Sequence, residues 1–102
     1  LPSLEAIVKA TTRSSRLIMH GVEDIGIHYA ETLKRWRETF DSRLDEVRAL
    51  GYDERFIRTW RFYLAYCEAG FRTRAIHDYQ LVLTRPFNSA LPVPVAEDVA
   101  VA

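Results

Sequence analysis

A few side chains in this sequence could take part in chemistry, and a tyrosine is the first of them. Tyr29 stands at the predicted start of a long helix, where its hydroxyl can donate to an anion and the helix dipole favours negative charge. The alternative is that Tyr29 only begins the apolar face of that helix, and the residues alone favour this plainer interpretation.

The apolar stripes of this helix and the next repeat at spacings of mostly three and four residues: Tyr29, Leu33, Trp36, Phe40, Leu44 and Val47 on the first, and Phe56, Trp60, Tyr63, Leu64, Cys67 and Phe71 on the second. Residues at these spacings share a helix face, so side chains of the two stripes can face one cavity. An ordinary helix–helix core would use the same pattern, and the two interpretations are compatible. The stripes therefore predict either a packed core or a core left open as a pocket.

The other reactive groups do not predict a site. Cys67 is the only cysteine, which excludes an internal disulfide and fits a reduced cytoplasmic setting. With no base beside it in sequence, it is typical of a buried small apolar residue rather than a nucleophile. Glu23 and Asp24 are interpreted as solvated charges. Three histidines are too scattered for metal-ligand spacing: His20, His28 and His77.

The apolar pattern also predicts the elements that must position these side chains. A short helix is expected over residues 4–12 with Ser3 as its N-cap, followed by a strand over 16–22 and a loop over 23–28. The period then changes from two residues to between three and four, which begins the helical part of the chain.

Two long amphipathic helices are predicted over 29–50 and 53–72. Gly51 should end the first as a left-handed cap, and Asp53 should cap the second. Alternation then predicts a strand over 75–84. The resulting order is helix, strand, helix, helix, strand, which places the chain in the α/β class.

The predicted sheet is incomplete. Two strands alone are marginal in water, and each helix stripe is wider than a two-helix hairpin needs. We therefore expect residues 1–86 to dock onto a larger sheet that this segment does not supply, with 87–102 as a flexible tail. The start of the chain, which lacks an initiator methionine and a signal peptide, also reads as part of something longer.

The composition of the chain limits the classes of binding partner that it fits. The chain has 102 residues, 48% of them hydrophobic, and 14 basic residues balanced by 14 acidic ones, which argues against a nucleic-acid partner. Most of the basic residues are arginines between positions 35 and 74. A phospholipid surface would suit them, although solvated helix faces with local ion pairs are the favoured interpretation. No stretch has the length and apolar character of a membrane span.

Four strings resemble, in order, the C-terminal part of cyclopropane-fatty-acyl-phospholipid synthases and the similar mycolic acid cyclopropane synthases. They are LPSLEAI, VEDIGIHYAETLKRWRETF, LDEVRALGYDERFIRTWRFYLAYCEAGFR and IHDYQLVLTRP. The resemblance covers residues 1–86. It rests on a His-Tyr-x-x-Thr-Leu-x-x-Trp block, a Tyr-Leu-x-x-Cys-x-x-x-Phe block and a final strand that contains glutamine.

The resemblance implies an S-adenosylmethionine-dependent methyltransferase with a Rossmann-like sheet, in which 16–22 is the sixth strand and 75–84 the antiparallel seventh. The two long helices would be an insertion that covers the lipid site. The implied reaction adds a methylene to the double bond of an unsaturated acyl chain of a phospholipid, and a bound bicarbonate takes a proton. The implied location is the cytoplasm, at the periphery of the inner face of the membrane.

The same resemblance assigns roles to the stripe residues. Tyr29 would contact the bicarbonate, and four side chains would line the acyl pocket: Leu33, Tyr63, Cys67 and Phe71. The sequence departs from the family at Ile27, where proline is common, and at His77, where glycine is frequent. Neither departure removes one of the assigned residues.

Other family features have no counterpart in these 102 residues. There is no glycine-rich cofactor loop, no acidic partner for a ribose, and neither the glutamate nor the histidine that completes the bicarbonate site. We therefore expect the fragment alone to bind no cofactor and to be inactive, with an N-terminal methyltransferase half as its partner. Two alternatives stay open: a relative that adds a methyl or methylene branch, and a non-catalytic helical module that binds lipid or protein.

Overall fold

The computed structural model describes residues 1–91. It contains four helices and two strands: α1 Leu4–Ser14, β1 Ile18–Asp24, α2 Gly26–Ser42, α3 Leu44–Ala49, α4 Glu54–Arg72 and β2 Tyr79–Thr84. This mixed order agrees with the predicted one, except that the first long helix is divided in two. Of the predicted tail, residues 92–102 lie outside the described part.

Helix α1 begins where its capping residue predicts. The Ser3 hydroxyl accepts a hydrogen bond from the backbone N–H of Ala6 at 3.1 Å. The helix runs to Ser14, two residues beyond its predicted end. The hydroxyl of Thr11 donates to the carbonyl of Ile7 at 2.7 Å, so this polar side chain is satisfied within the helix.

The two strands pair as a two-stranded sheet. Gly21 faces Val82 across the pair, and further along the chain the backbone N–H of Ile25 donates to the carbonyl of Asp78 at 2.8 Å. Residue 21 lies opposite residue 82 and residue 25 opposite residue 78, so the residue numbers run in opposite directions along the pair. The strands are therefore antiparallel. A larger Rossmann-like sheet remains a prediction.

Strand β2 begins at Tyr79, four residues later than predicted. The segment before it turns back against the end of α4, since the N–H groups of Ala75 and Ile76 both donate to the carbonyl of Gly70. Arg74 has a φ of 61°, which lets the chain turn at this point. These residues close the helix instead of extending the strand.

The predicted loop over 23–28 is wrong. Strand β1 continues to Asp24, and α2 begins at Gly26, almost a full turn before Tyr29. The carboxylate of Asp24 accepts from the backbone N–H of Gly26 at 3.0 Å, which satisfies one donor that the helix start leaves free. A glycine that we interpreted as a loop residue is therefore the first residue of a helix.

The predicted helix over 29–50 is interrupted at Arg43, whose φ of −123° and ψ of 27° are not helical. Both predicted caps beyond it are confirmed. Gly51 has a φ of +96°, as a left-handed cap requires. The carboxylate of Asp53 accepts from the N–H of Phe56 at 2.8 Å and so starts α4.

The described residues group into two compact units, one of Leu1–Gly21 with the chain from Leu81 onward and one of Val22–Gln80. The second contains α2 and α4, which pack against each other along their length. Its buried apolar side chains are few: Ala30, Leu33, Ile57 and Leu64. Large aromatic side chains remain exposed, and Phe62 on the outer face of α4 is 70% exposed. Within residues 1–91, no helix has the length and hydropathy to cross a bilayer.

An ion pair that the sequence did not predict joins the two long helices. Nε of Arg37 on α2 lies 3.0 Å from Oε2 of Glu68 on α4, whose side chain is only 13% exposed. Arg72 adds a second contact at 3.2 Å. The hydrogen bond from Arg37 is the main cause that lowers the pKa of Glu68 below its usual value, against an opposing effect of burial.

We expect Glu68→Gln to destabilise the 102-residue chain by about 1 kcal/mol at pH 7, a value reduced because Arg37 is partly exposed. Since the folded pKa of Glu68 is lowered, its stabilisation is full above the unfolded value of about 4.3 and disappears as pH falls through the folded value. Urea unfolding of the wild type and the variant at pH 7 and pH 3 measures the loss of stability and its dependence on pH. The control is Glu46→Gln. Glu46 pairs with Arg43, and its side chain is 63% exposed. Equal losses in the two variants at pH 7 would contradict the prediction.

Candidate functional site

A groove of about 400 Å³ runs between the two long helices. Nine side chains line it: Tyr29, Leu33, Trp36, Trp60, Tyr63, Leu64, Cys67, Phe71 and Ile76. All five side chains that the sequence analysis assigned to a site are among them. Tyr29 and Cys67, which come from different helices, therefore share one cavity.

Helical spacing explains why these residues meet. On α2 the lining positions follow each other by four and then three residues, which keeps them on one face. On α4 the lining positions Trp60, Leu64, Cys67 and Phe71 follow each other by four, three and four residues, with Tyr63 beside Leu64. The N-cap at Asp53 fixes where this helix begins. The facing helices thus contribute two apolar walls, and the third side comes from the turn before β2, through Ile76.

The groove is apolar with a few polar groups. The lining contains no carboxylate, lysine, arginine or histidine, and its polar atoms come from two phenols, two indoles and one thiol. Cys67 is the main cause that raises the pKa of Tyr63 above its usual 10.0, and desolvation and Tyr29 add to it. Tyr63 therefore keeps its proton at neutral pH and remains a hydrogen-bond donor inside the groove.

Aromatic contacts hold the Tyr29 ring in place. Its centroid lies 4.8 Å from that of Phe71 and 6.0 Å from that of Trp36, in both cases edge to face. Such pairs are favourable because the positive edge of one ring meets the negative face of the other. The hydroxyl of Tyr29 is therefore carried by a ring whose orientation is restricted from two sides.

A row of stacked rings leads along α4 towards the groove. Tyr52 stacks on Phe56 at 4.3 Å, Phe56 on Trp60 at 6.3 Å, and Trp60 on Tyr63 at 5.2 Å. The last two rings of this row line the groove. The apolar surface of the groove thus continues on the side of α4 that faces away from the exposed Phe62.

Sequence reasoning missed some members of the site. Trp36 and Trp60 were recognised as stripe residues but not as lining residues, although they share the spacing of those that were. They are the only tryptophans in the chain. Ile76 was assigned to the strand predicted over 75–84, whereas it lies in the turn before β2 and contributes to the groove.

Asp24 is exposed, as the sequence predicts, but its carboxylate also has partners that the sequence did not predict. Its carboxylate accepts from the N–H of Gly26, and its other oxygen lies 2.7 Å from Nδ1 of His77. The Gly26 hydrogen bond, followed by the one from His77, lowers the pKa of Asp24. Asp24 therefore stays ionised and joins the start of α2 to the segment before β2. Within residues 1–91 no group of three or more candidate ligands could hold a metal ion.

Residues 1–81 match the profile of the mycolic acid cyclopropane synthetase family. The chain is 46% identical over 85 residues to a tuberculostearic acid methyltransferase of Mycobacterium tuberculosis. These 85 residues are 83% of this chain and 20% of that protein. It is 33% identical over 87 residues to a probable fatty acid methyltransferase of Pseudomonas putida, covering 85% and 22%.

A third relative is the cyclopropane-fatty-acyl-phospholipid synthase of Escherichia coli, 33% identical over 93 residues, which cover 91% of this chain and 24% of the synthase. The chain thus spans roughly a fifth to a quarter of the length of these relatives. The names of all three describe enzymes that modify lipids or fatty acids.

Proposed function

The chain belongs to the mycolic acid cyclopropane synthetase family, and from this we propose that it forms the acyl-binding part of a lipid methyltransferase. In this proposal the longer protein transfers a methylene from S-adenosylmethionine to the double bond of an unsaturated acyl chain. The observation that carries it is the groove, which brings the five family-matched side chains together between two helices.

The size and lining of the groove support an acyl chain as its occupant. Its volume of about 400 Å³ falls within the range of ligand pockets, which are mainly apolar with a few placed polar groups. The hydrocarbon of an acyl chain has no group that needs a charged partner, and the lining contains no carboxylate, lysine, arginine or histidine. Binding would bury apolar surface that the small core leaves exposed.

The lining residues also suit the proposed chemistry. A carbocation on an acyl chain is captured by water unless water is excluded, and apolar walls from both helices would exclude it. Bicarbonate, the base that the family implies, would accept the proton whose loss closes the ring. In this chain the Tyr29 hydroxyl would hold it, close to the N-terminus of α2, where the helix dipole favours an anion. The described residues of the groove offer no carboxylate for a cofactor ribose, and we assign S-adenosylmethionine to the rest of the protein.

A second candidate is methyl transfer without ring closure. It is favoured by the relative that is 46% identical, which is named a methyltransferase rather than a cyclopropane synthase. The two outcomes differ in how the carbocation loses a proton after the methyl group has been transferred. Loss of a proton from the new methyl group closes the ring, whereas loss of a proton with formation of a carbon–carbon double bond leaves a methyl- or methylene-branched, still unsaturated chain. These products are isomers, and the fragmentation pattern in tandem mass spectrometry of the lipid product of the longer protein distinguishes them.

Binding to the groove can be followed without any label on the protein, because both tryptophans line it. We expect a brominated long-chain fatty acid, added below its micelle concentration, to quench tryptophan fluorescence with a saturable dependence on concentration. Cys67→Phe should weaken this binding at least about tenfold, since a phenyl group would occupy space that the chain needs.

The matched control is Ala65→Phe, which adds the same ring to an exposed position of α4 and should leave the affinity unchanged. Quenching that rises linearly without saturation, or an equal loss in both variants, would show that the groove is not the acyl site. A non-catalytic binding module would give the same binding curve. Formation of a methylated lipid product by the longer protein distinguishes an enzyme from such a module.

A further inference from the structure

We propose that Asp24 and His77 act as a positioning pair that fixes the first turn of α2 and, through it, the place of Tyr29 in the groove. This inference rests on the proposed function in one respect, which is the role of Tyr29. The contacts themselves do not depend on it. Residue 77 is also a position at which this sequence departs from the family pattern, so the device would belong to this chain.

The first turn of α2 lacks the usual side-chain cap. Its N-cap residue is Ile25, which cannot accept a hydrogen bond through its side chain. The preceding residue takes over this function, as Oδ1 of Asp24 accepts from the N–H of Gly26 at 3.0 Å. Oδ2 of the same carboxylate lies 2.7 Å from Nδ1 of His77. One carboxylate thus connects the start of the helix to a residue far along the chain.

A backbone hydrogen bond strengthens this connection. The N–H of Ile25 donates to the carbonyl of Asp78 at 2.8 Å, beside the side-chain contact. Residues 24–26 and 77–78 are therefore joined through both backbone and side chains. Two adjacent attachments restrict rotation of the helix start in a way that a single hydrogen bond does not.

The close packing at Gly26 shows how little freedom this junction has. A Cβ at this position would lie 3.1 Å from Oδ1 of Asp24 and 3.4 Å from Cδ1 of Phe71. The same Phe71 is in edge contact with the Tyr29 ring. Movement of the helix start would therefore change the packing of Phe71 and, with it, the surroundings of Tyr29.

The last step to Tyr29 is a single helical hydrogen bond. The N–H of Tyr29 donates to the carbonyl of Ile25 at 2.9 Å, so Tyr29 lies one turn beyond the residue next to Asp24. Asp24 and His77 have side chains that are 43% and 40% exposed, and exposed pairs contribute little to stability. The structure therefore gives this pair more influence on position than on the free energy of unfolding.

Four variants of the 102-residue chain test the proposal: Asp24→Ala, Asp24→Asn, His77→Gly and, as a control, Arg48→Gln. Asparagine can accept from Gly26 and donate to an unprotonated Nδ1 of His77, so it should restore the wild-type behaviour. The control removes a similarly exposed ion pair, between Arg48 and Glu54, away from α2. Two readouts are taken, the NMR contact between the Tyr29 and Phe71 rings and the affinity for the brominated fatty acid.

We expect Asp24→Ala to weaken or shift the ring contact and to lower the affinity about fivefold, as the loss of one or two hydrogen bonds would. His77→Gly should have a smaller effect in the same direction, because it leaves the hydrogen bond between Asp24 and Gly26 in place. It serves as the test if Asp24→Ala does not fold. Asp24→Asn and Arg48→Gln should behave as the wild type. An unchanged ring contact in both Asp24→Ala and His77→Gly overturns the proposal. If the wild type binds no acyl chain, the proposed function fails, and the ring contact still decides on the positioning pair.

Discussion

Replacing Tyr29 with phenylalanine is expected to slow product formation by the longer protein about a hundredfold, with acyl binding nearly unchanged. The ring contacts to Phe71 and Trp36 do not involve the hydroxyl, so they should survive the change. Only the hydrogen bond that the hydroxyl would donate to the proposed base is removed. The expected signature is therefore a fall in kcat without a matching rise in KM, measured by release of lipid product under saturating cofactor.

The control for this prediction is Tyr66→Phe. Tyr66 lies on the outer face of α4, is 67% exposed, and stacks on Phe62 rather than on a groove residue. Its hydroxyl should have no effect on kcat. A Tyr29→Phe variant with wild-type kcat, or an equal decrease in the two variants, would remove Tyr29 from the proposed chemistry and leave it as a wall of the groove.

The largest expected effect on stability comes from Leu64→Ala. Leu64 is 3% exposed and is among the few buried apolar side chains in the described residues. Its removal loses burial and leaves a cavity between α2 and α4, which together cost about 2 to 4 kcal/mol. Because native proteins have only about 5 to 15 kcal/mol of stability, this loss should remove a large part of the free energy of unfolding.

Urea unfolding followed by far-UV circular dichroism measures this effect. Phe62→Ala is the control, since it removes a larger apolar group from the same helix at a position that is 70% exposed. Its cost should stay within about 0.5 kcal/mol, as for most surface changes. If Phe62→Ala destabilised the chain as much as Leu64→Ala, the outer face of α4 would be packed in solution, and the core would be larger than the four buried residues suggest.

Local chemistry made part of the fold predictable. Ser3, Gly51 and Asp53 were assigned as caps from residue type and neighbouring pattern, and each performs that function. Caps can be predicted because the partner lies within three or four residues. The start of α2 could not be predicted in this way. It depends on Asp24, whose second partner His77 is 53 residues away in sequence.

The same difference between local and distant contacts decides which parts of the site could be predicted. The two apolar stripes were predictable because helical spacing places their members on faces that a hairpin brings together, and the family resemblance singled out five of those members as lining side chains. The ion pair between Arg37 and Glu68, 31 residues apart, was not, since each charge alone looks like part of a solvated face. Periodicity identifies the walls of the groove, and only the structure identifies the charged contacts that hold the walls in register.

The short connection through α3 has a consequence for the order in which the chain folds. α2 and α4 are neighbours in sequence, whereas β1 and β2 are separated by all the residues between Asp24 and Tyr79. The entropy lost on closing a loop grows with its length, and folding rates fall as contacts become less local. The helix hairpin should therefore assemble first, so that the two walls of the groove meet before the strand ends are paired.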